Sequence, residues 1–539
     1  MKIGLCLSRC GGVISEAIDL PYLADEYGDL AMVRVYDDIF TAHEMEALWA
    51  DVSANGIEAV ILAGDSQRRF EYTRKGMLLV ERLEEMGINF NKIAFANLKE
   101  QVALPHRGQK EEATKKAKLL IDVALAKVES STQGEVVEVA PHKSILVLGT
   151  TLGGLVAAQG FLERGYHVYL VDRASQLRDT SPWQEEMQAL LSAVQLHPNA
   201  SFSPGSTILD FSGWCGDYSV KVVNDEGMQS MAVGGVVVAL GDDREWTDQL
   251  RVLLHIDVDA EGFFTAKDSR TLPVQTIDEG ICVIPRYEGQ DELSYQVTRG
   301  DLAVLALAQV LDRPQIRHEV RISKVDESLC GACGTCVKTC AFKACSIDPL
   351  RKVSVVDPRR CKGCGNCVVA CPTGARDLPA FPNDYFLRAI DILGRYEPPE
   401  GTKVLLLLCE GCGYAGLDFV GMTGFAYPTS ILPLAVPCGG RIDTQYLLEA
   451  YYKGFDGVLI CRCEDGHCRN IVGNVDLERR ANLVREVLRS RGIDAERLQI
   501  FSVARCESSS CAQTAAQFAD ELKKVKELSK EGKAKWAVR

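Results

Sequence analysis

Eight cysteines in two closely spaced runs constrain this chain more than any other feature. The first run is Cys330-x2-Cys333-x2-Cys336-x3-Cys340 and the second is Cys361-x2-Cys364-x2-Cys367-x3-Cys371-Pro372. Thiolates at this spacing let a tight loop wrap three corners of an iron–sulfur cubane, while the fourth ligand of each run reaches across to the other cluster. The spacing therefore assigns Cys330, Cys333, Cys336 and Cys371 to one [4Fe–4S] cluster, and Cys361, Cys364, Cys367 and Cys340 to a second. Gly331, Gly334, Gly363 and Gly365 suit loops whose amides point at sulfur. Ala341 stands where a proline usually follows the fourth cysteine. Two zinc sites, or runs that hold no metal, are the alternatives, and a complete set of ligands at the right spacing counts against both. Paired clusters pass single electrons and do no bond chemistry themselves.

The remaining cysteines point the same way. Of 21 in 539 residues, 17 lie between Cys330 and Cys511, and residues 11–214 have none, which is no disulfide framework. A net charge of −14 disfavours a nucleic-acid partner. No run reaches 18 apolar residues, so no membrane-spanning helix is expected. The N-terminal apolar stretch is too short for an export signal. A cytoplasmic location follows as the expectation, with contact to a membrane face only through partners.

The chain reads as multidomain α/β. Residues 1–132 alternate strand and helix, with strands at 32–36, 59–62 and 92–97 and a one-faced apolar helix at 111–129. A polar stretch, 130–135, reads as a linker. Residues 143–320 form a Rossmann-type unit, 321–380 a bacterial two-cluster ferredoxin unit of α+β type, and 400–527 a parallel-sheet α/β unit with strands at 404–408, 457–461 and 498–503. Pro-rich connectors, 378–382 and 398–399, flank a short helical segment, and the Lys-rich last dozen residues read as frayed. The doubled cysteine run is the one internal repeat apparent.

Strand Ser144-Ile-Leu-Val-Leu148, turn Gly149-Thr-Thr-Leu-Gly-Gly154, a helix, and strand 168–171 ending at Asp172 follow the order of a dinucleotide site. Gly149, Thr151, Gly153, Gly154, Asp172 and Gly241 are the candidate contacts. Gly149 and Gly154 fit the fingerprint, but Thr151 takes the middle glycine's place, where the backbone should approach a pyrophosphate. Both an FAD site and an empty Rossmann unit stay open. No second Gly-rich turn for a nicotinamide nucleotide follows.

In the C-terminal unit Cys409, Cys412, Cys438, Cys461, Cys463, Cys468, Cys506 and Cys511 lie mostly just past strand ends, the edge at which such sheets build sites. One iron–sulfur cluster or two, zinc, or a mixture of ligands and core thiols would each use such a set. His467, beside Cys468, is either a ligand or, more simply, a loop histidine. Cys215, Cys282 and Cys345 read as core or surface thiols.

These motifs carry a family resemblance over nearly the whole chain. Ile3-Gly4, Cys10-Gly11, residues 94–101, Glu112-Ala-Thr-Lys-Lys-Ala-Lys118, His197-Pro-Asn199 and Asp259-Ala-Glu-Gly-Phe-Phe264, followed by the double ferredoxin run, resemble the A subunit of heterodisulfide reductase. Cys409-Glu-Gly-Cys412-Gly-Tyr-Ala-Gly416, Cys438-Gly-Gly-Arg441, Cys463, Cys468 and Gly473-Asn474 resemble the delta subunit of methyl-viologen-reducing hydrogenase. The combination is similar to the B subunit of the quinone-interacting membrane-bound oxidoreductase of sulfate reducers.

The resemblance implies an electron-transfer subunit of an anaerobic oxidoreductase complex, with no catalytic residues of its own. Its cofactors would be two [4Fe–4S] clusters, a [2Fe–2S] or other iron–sulfur cluster on four of Cys409, Cys412, Cys438, Cys463 and Cys468, and FAD. Its partners would be other redox subunits of a heterodisulfide reductase-like complex: a hydrogenase, formate dehydrogenase or quinone-reducing module. The alternative it implies is an FAD-dependent electron-bifurcating subunit. Several departures favour the relay. Ser8, Asp38 and Gly64 stand near where the family's N-terminal cluster cysteines fall, leaving Cys6 and Cys10. The FAD region is short, and no inserted ferredoxin lies between Val222 and Gly235. Cys461, Cys506 and Cys511 are additional to the delta pattern, as ligands of a second cluster or as spare thiols. The cysteine repeats with which the reductase's B subunit cleaves a disulfide are absent, so reduction of a disulfide by this chain alone is not expected.

Overall fold

A computed structural model describes residues 1–175, 177, 183–258, 262–264, 271–285, 292–398, 401–503 and 508–530. Of the segments singled out in the sequence, 259–261, Pro399 and the last nine residues lie outside these. The chain divides into two compact units, Met1–Glu135 with Arg321–Arg539, and Val136–Val320.

The first unit holds two four-stranded parallel sheets of the same strand order. In one, the order is Met32–Tyr36, Ile3–Ser8, Ala59–Gly64, Ile93–Asn97. In the other it is Ile431–Val436, Val404–Cys409, Gly457–Arg462, Leu498–Ser502. Ile3–Ser8, Ala59–Gly64 and Val404–Cys409 are buried along their whole length, which is why they read as unbroken apolar runs. In this order the sequence doubles back between the first and third strands, and a crevice opens there at the strand ends. Nothing in the sequence pattern signals the kinship of the two sheets. The strand Ile431–Val436 is also absent from the expected set, because Pro433 speaks against a strand. It lies at a sheet edge, where a residue without an N–H costs no ladder bond.

Between the two sheets in sequence, the ferredoxin segment folds into two small antiparallel ladders, Lys324–Val325 with Arg376–Asp377 and Cys345–Ile347 with Ser354–Val356. Two short helices, Thr335–Thr339 and Asn366–Val369, each start after a glycine in the left-handed region, Gly334 at φ 74° and Gly365 at φ 76°.

One hydrophobic core runs through all three segments of this unit. Val123 and Ala126 of the helix Lys110–Ser130 join Cys336 and Cys367 of the ferredoxin, Phe386 and Ile390 of the helix Asn383–Gly394, and Leu405, Leu434 and Ile460 of the second sheet. The helix Lys110–Ser130 thus buries two stripes. Ala113, Ala117, Ile121 and Ala124 face the first sheet, as the periodicity predicts, and Val123 and Ala126 form the other. The 130–135 stretch is held at several points: Thr132 N donates to Pro379 O at 3.1 Å, and Asn91 Nδ2 donates to Thr132 O at 2.9 Å.

The second unit centres on a five-stranded parallel sheet in the order Ile281–Val283, Gly235–Val238, Ser144–Leu148, His167–Val171, Ala200–Ser203, with a three-stranded antiparallel sheet beside it in the chain. The helices Leu152–Glu163 and Leu293–Leu311 pack closely because both are glycine at the crossing. A Cβ on Gly300 would lie 2.7 Å from Gly153 O.

Candidate iron–sulfur centres

The ferredoxin loops bring the first three cysteines of the second run to one cavity. Cys340, the fourth cysteine of the first run, lines one cavity with Cys361, Cys364 and Cys367. Cys340 Sγ accepts from Ala344 N at 3.3 Å. The first run is organised around Ser354. Ser354 N donates to Cys330 Sγ at 3.3 Å, and its hydroxyl lies 3.2 Å from Cys336 Sγ. Cys333 and Cys371 sit beside Thr335 and Thr373, at 3.3 and 3.6 Å. Backbone and hydroxyl donors aimed at sulfur are what an anionic thiolate–cluster unit needs.

One core thiol outside the two runs also reaches this cavity. Cys345, read from the sequence as a core or surface thiol, is buried in the core with Cys336 and Cys367 and also lines the cavity of Cys340, Cys361, Cys364 and Cys367. It opens the strand Cys345–Ile347 after the loop Cys340-Ala-Phe-Lys-Ala-Cys345. A rule built on ligand spacing does not reach it, because it stands past the last cysteine of its run.

The C-terminal sheet gathers five of its cysteines at the switch point between its first and third strands. Cys409 ends the strand Val404–Cys409, Cys412 lies in the π-turn Glu410–Tyr414, Cys438 follows Ile431–Val436, and Cys463 and Cys468 follow Gly457–Arg462. Cys409 Sγ and Cys463 Sγ are 3.7 Å apart. Two thiolates on one tetrahedral metal stand about 3.8 Å apart at a metal–sulfur length of ~2.3 Å. Cys412 and Cys468 are the other cysteines whose thiols interact with Cys463, and Cys438 interacts with Cys468. Gly440 N donates to Cys438 Sγ at 3.4 Å. Among the described residues, no three His, Cys, Asp or Glu side chains gather around one point as a single ion requires.

The additional cysteines stand apart. Cys461 and Cys511 are fully buried in one apolar cluster, as core thiols are. Cys506 lies outside the described residues. His467 Nδ1 pairs with Glu464 Oε2 at 3.2 Å, the loop arrangement. Cys6 and Cys10 are buried, and burial pushes both thiols up. Cys10 Sγ lies 3.0 Å from Asp65 Oδ2, at the switch point of the first sheet.

The second-run cavity and the C-terminal cysteines share a wall. Asn470, Val472 and Gly473 line the cavity that holds Cys340, Cys361, Cys364 and Cys367. A Cβ on Gly473 would lie 2.4 Å from Cys438 Sγ and 3.5 Å from Cys468 Sγ. Side chains fasten the two loops together. Asn366, between Cys364 and Cys367, donates to Asp476 Oδ2 at 2.5 Å, and Arg480 Nη2 donates to Gly440 O at 2.9 Å. Arg441 is fully buried and reaches Asn383 Oδ1 at 2.8 Å and Phe381 O at 3.1 Å. Its Cδ would meet a Cβ on Gly365 at 2.3 Å, so the second run needs glycine there on two counts.

In the second unit the Gly149 turn keeps the dinucleotide order. Gly149 has φ 95°, and a Cβ on it would lie 2.1 Å from Ala239 O. Thr151 caps the helix Leu152–Glu163, accepting from Gly154 N at 3.4 Å, and its Cγ2 would meet a Cβ on Gly241 at 3.3 Å. Gly153 faces the helix Leu293–Leu311, so its lack of a side chain serves packing. Asp172 is buried. Its Oδ2 accepts from Thr150 N at 2.7 Å and Thr150 Oγ1 at 2.6 Å, and its Oδ1 from Ala174 N at 2.8 Å. Oδ1 thus accepts one bond and Oδ2 two.

Residues 404–526 match the family of the methyl-viologen-reducing hydrogenase delta subunit, and residues 354–377 match the 4Fe-4S binding domain. The chain is 32% identical over 276 residues to the A subunit of the ferredoxin/F(420)H(2)-dependent CoB-CoM heterodisulfide reductase of Methanosarcina acetivorans, covering 51% of this chain and 34% of that one. It is 29% identical over 122 residues to the iron-sulfur D subunit of the vhu F420-non-reducing hydrogenase of Methanococcus maripaludis, 23% of this chain and 91% of that one. With the iron-sulfur D subunit of the vhc F420-non-reducing hydrogenase of Methanococcus voltae it shares 36% identity over 96 residues, 18% of this chain and 67% of that one. The chain spans about a third of the length of the heterodisulfide reductase relatives it matches.

Proposed function

Because the chain is a protein like the heterodisulfide reductase A subunit fused to a domain of the hydrogenase delta-subunit family, we propose that it relays electrons between partner subunits of a heterodisulfide reductase-like complex. Cys330, Cys333, Cys336 and Cys371 hold one [4Fe–4S] cluster, and Cys340, Cys361, Cys364 and Cys367 the other. A third cluster, of [2Fe–2S] type, takes four of Cys409, Cys412, Cys438, Cys463 and Cys468. The observation that carries this reading is the wall shared at Gly473, which sets the C-terminal cysteines against the second-run cavity. Electrons then pass between the delta-like cluster and the two cubanes in line.

The delta-like domain is the docking side for a hydrogenase, formate dehydrogenase or quinone-reducing module. No described helix is long and apolar enough to cross a membrane, and the proposed place of work is the cytoplasm. FAD at the Gly149 turn is proposed from the dinucleotide-site residue order, with Asp172 Oδ1 taking a ribose hydroxyl. When bound, it would exchange electrons in pairs with a donor, and no step of the relay requires it.

The test is electron paramagnetic resonance of the fully reduced, anaerobically purified chain. The relay predicts magnetic interaction between the C-terminal cluster and one cubane, seen as broadened or split lines. Three non-interacting spectra at full iron content would contradict it.

A further inference from the structure

Arg376 is a buried cation, 1% exposed. Nη1 donates to Ser323 Oγ at 3.2 Å and points at Cys367 Sγ at 3.9 Å, while Nη2 donates to Ser354 Oγ. Among the described residues no Asp or Glu lies within ion-pair reach of it. The adjacent carboxylate, Asp377, is engaged by Leu378 N at 2.9 Å and by the guanidinium of Arg441 at 3.4 Å.

A guanidinium keeps its proton in a protein. Enclosing one without an anion is strongly unfavourable. The anions that fit are sulfur ligands. Cys367 belongs to the second run, and Ser354 Oγ lies 3.2 Å from Cys336 Sγ of the first. The guanidinium therefore stands between the third cysteines of the two runs, touching one directly and the other through a hydroxyl.

We infer that Arg376 is the counter-ion shared by the two cubanes, a fixed positive charge that raises both reduction potentials. The inference rests on the proposed cluster assignment. An added electron makes each cluster more negative, so a nearby cation stabilises the reduced form, and net charge and hydrogen bonds to sulfur are what set such potentials. Burial removes the screening that salt gives to surface charges. Cys367, in direct contact, feels the charge more than Cys336 does. Arg376 acts on the clusters through their ligands, as a positioning and tuning residue.

The experiment is a redox titration of the full chain, followed by electron paramagnetic resonance, with iron measured on each sample. Wild type, Arg376→Gln and Arg376→Lys are compared. Eight or more irons in wild type tests the cluster assignment by itself, and fewer would overturn that assignment and this inference together. With iron unchanged, Arg376→Gln is expected to lower the reduction equilibrium constant of both cubanes about tenfold, ~59 mV for a one-electron couple, with the larger effect on the second-run cluster. Arg376→Lys recovers part of the loss, and the C-terminal cluster does not move. Unchanged cubane potentials in fully loaded Arg376→Gln would overturn the inference. If Arg376→Gln loses its iron, retention in Arg376→Lys supports the charge, and loss in both overturns it.

Discussion

Gly473 lies so close to Cys438 that a single added carbon would stand 2.4 Å from its sulfur. The same glycine lines the cavity of Cys340, Cys361, Cys364 and Cys367. Real contacts of carbon with sulfur are far longer, so Gly473→Ala must push Cys438 away. The expected result is loss of the C-terminal cluster, about two irons for a [2Fe–2S] centre, with the cubane signals retained. Iron analysis and low-temperature spectra of the variant check it. An intact C-terminal signal would show that Cys438 is not among its ligands.

Cys340 and Cys345 share a cavity but differ in role. Cys340→Ala removes a proposed ligand and should cost the second-run cubane its fourth corner. Cys345→Ala removes a buried thiol from the cavity that Cys340 and Cys367 line. It should leave the iron count unchanged and lower that cluster's potential, since the S–H of Cys345 is a weak donor facing the cluster's ligands and donors near sulfur favour the reduced state. Iron analysis with a redox titration separates the two. Loss of iron in Cys345→Ala would make it a ligand.

Asp172 accepts three bonds from its own chain. Asp172→Ala strands the donors of buried Thr150 and half-buried Ala174, which should cost about 1–3 kcal/mol. The thermal midpoint of flavin-free protein should fall. No change would contradict a structural role for these three bonds.

Lys116 is fully enclosed, with Nζ 2.9 Å from His106 Nε2 and 4.5 Å from the centre of the Tyr427 ring. Burial holds its amine well below the usual lysine range. Unfolded, the same amine keeps its proton up to about pH 10. The unfolded state therefore binds the extra proton between the two values, and stability rises with pH across that window. Lys116→Met should raise the thermal midpoint at pH 7 and flatten its rise toward pH 9. A lower midpoint at both would contradict this.

Much of the candidate site was legible because the proposed ligands are local in sequence. Three cysteines of each run are closely spaced, and the cavity that Cys340 shares with Cys361, Cys364 and Cys367 joins two neighbouring loops. Strand ends were legible at Cys409 and Cys463 because buried parallel strands read as unbroken apolar runs. What escaped depends on contacts distant in sequence. Pro433 masked an edge strand. Nothing local in Gly473 announces that it separates Cys438 from the second-run cavity. Arg376 reads as an ordinary charge until the fold encloses it. The common core of Val123, Phe386 and Leu405 joins segments far apart in the chain, which periodicity does not register.

The most direct measurement is iron, acid-labile sulfide and flavin on the full chain purified without oxygen. The account predicts about ten irons per chain, eight in the two cubanes and two at the C-terminal cysteines, with matching sulfide. Stoichiometric FAD would establish the Gly149 turn as a working site and leave the relay intact. Fewer than eight irons in fully loaded protein would contradict the account at its centre.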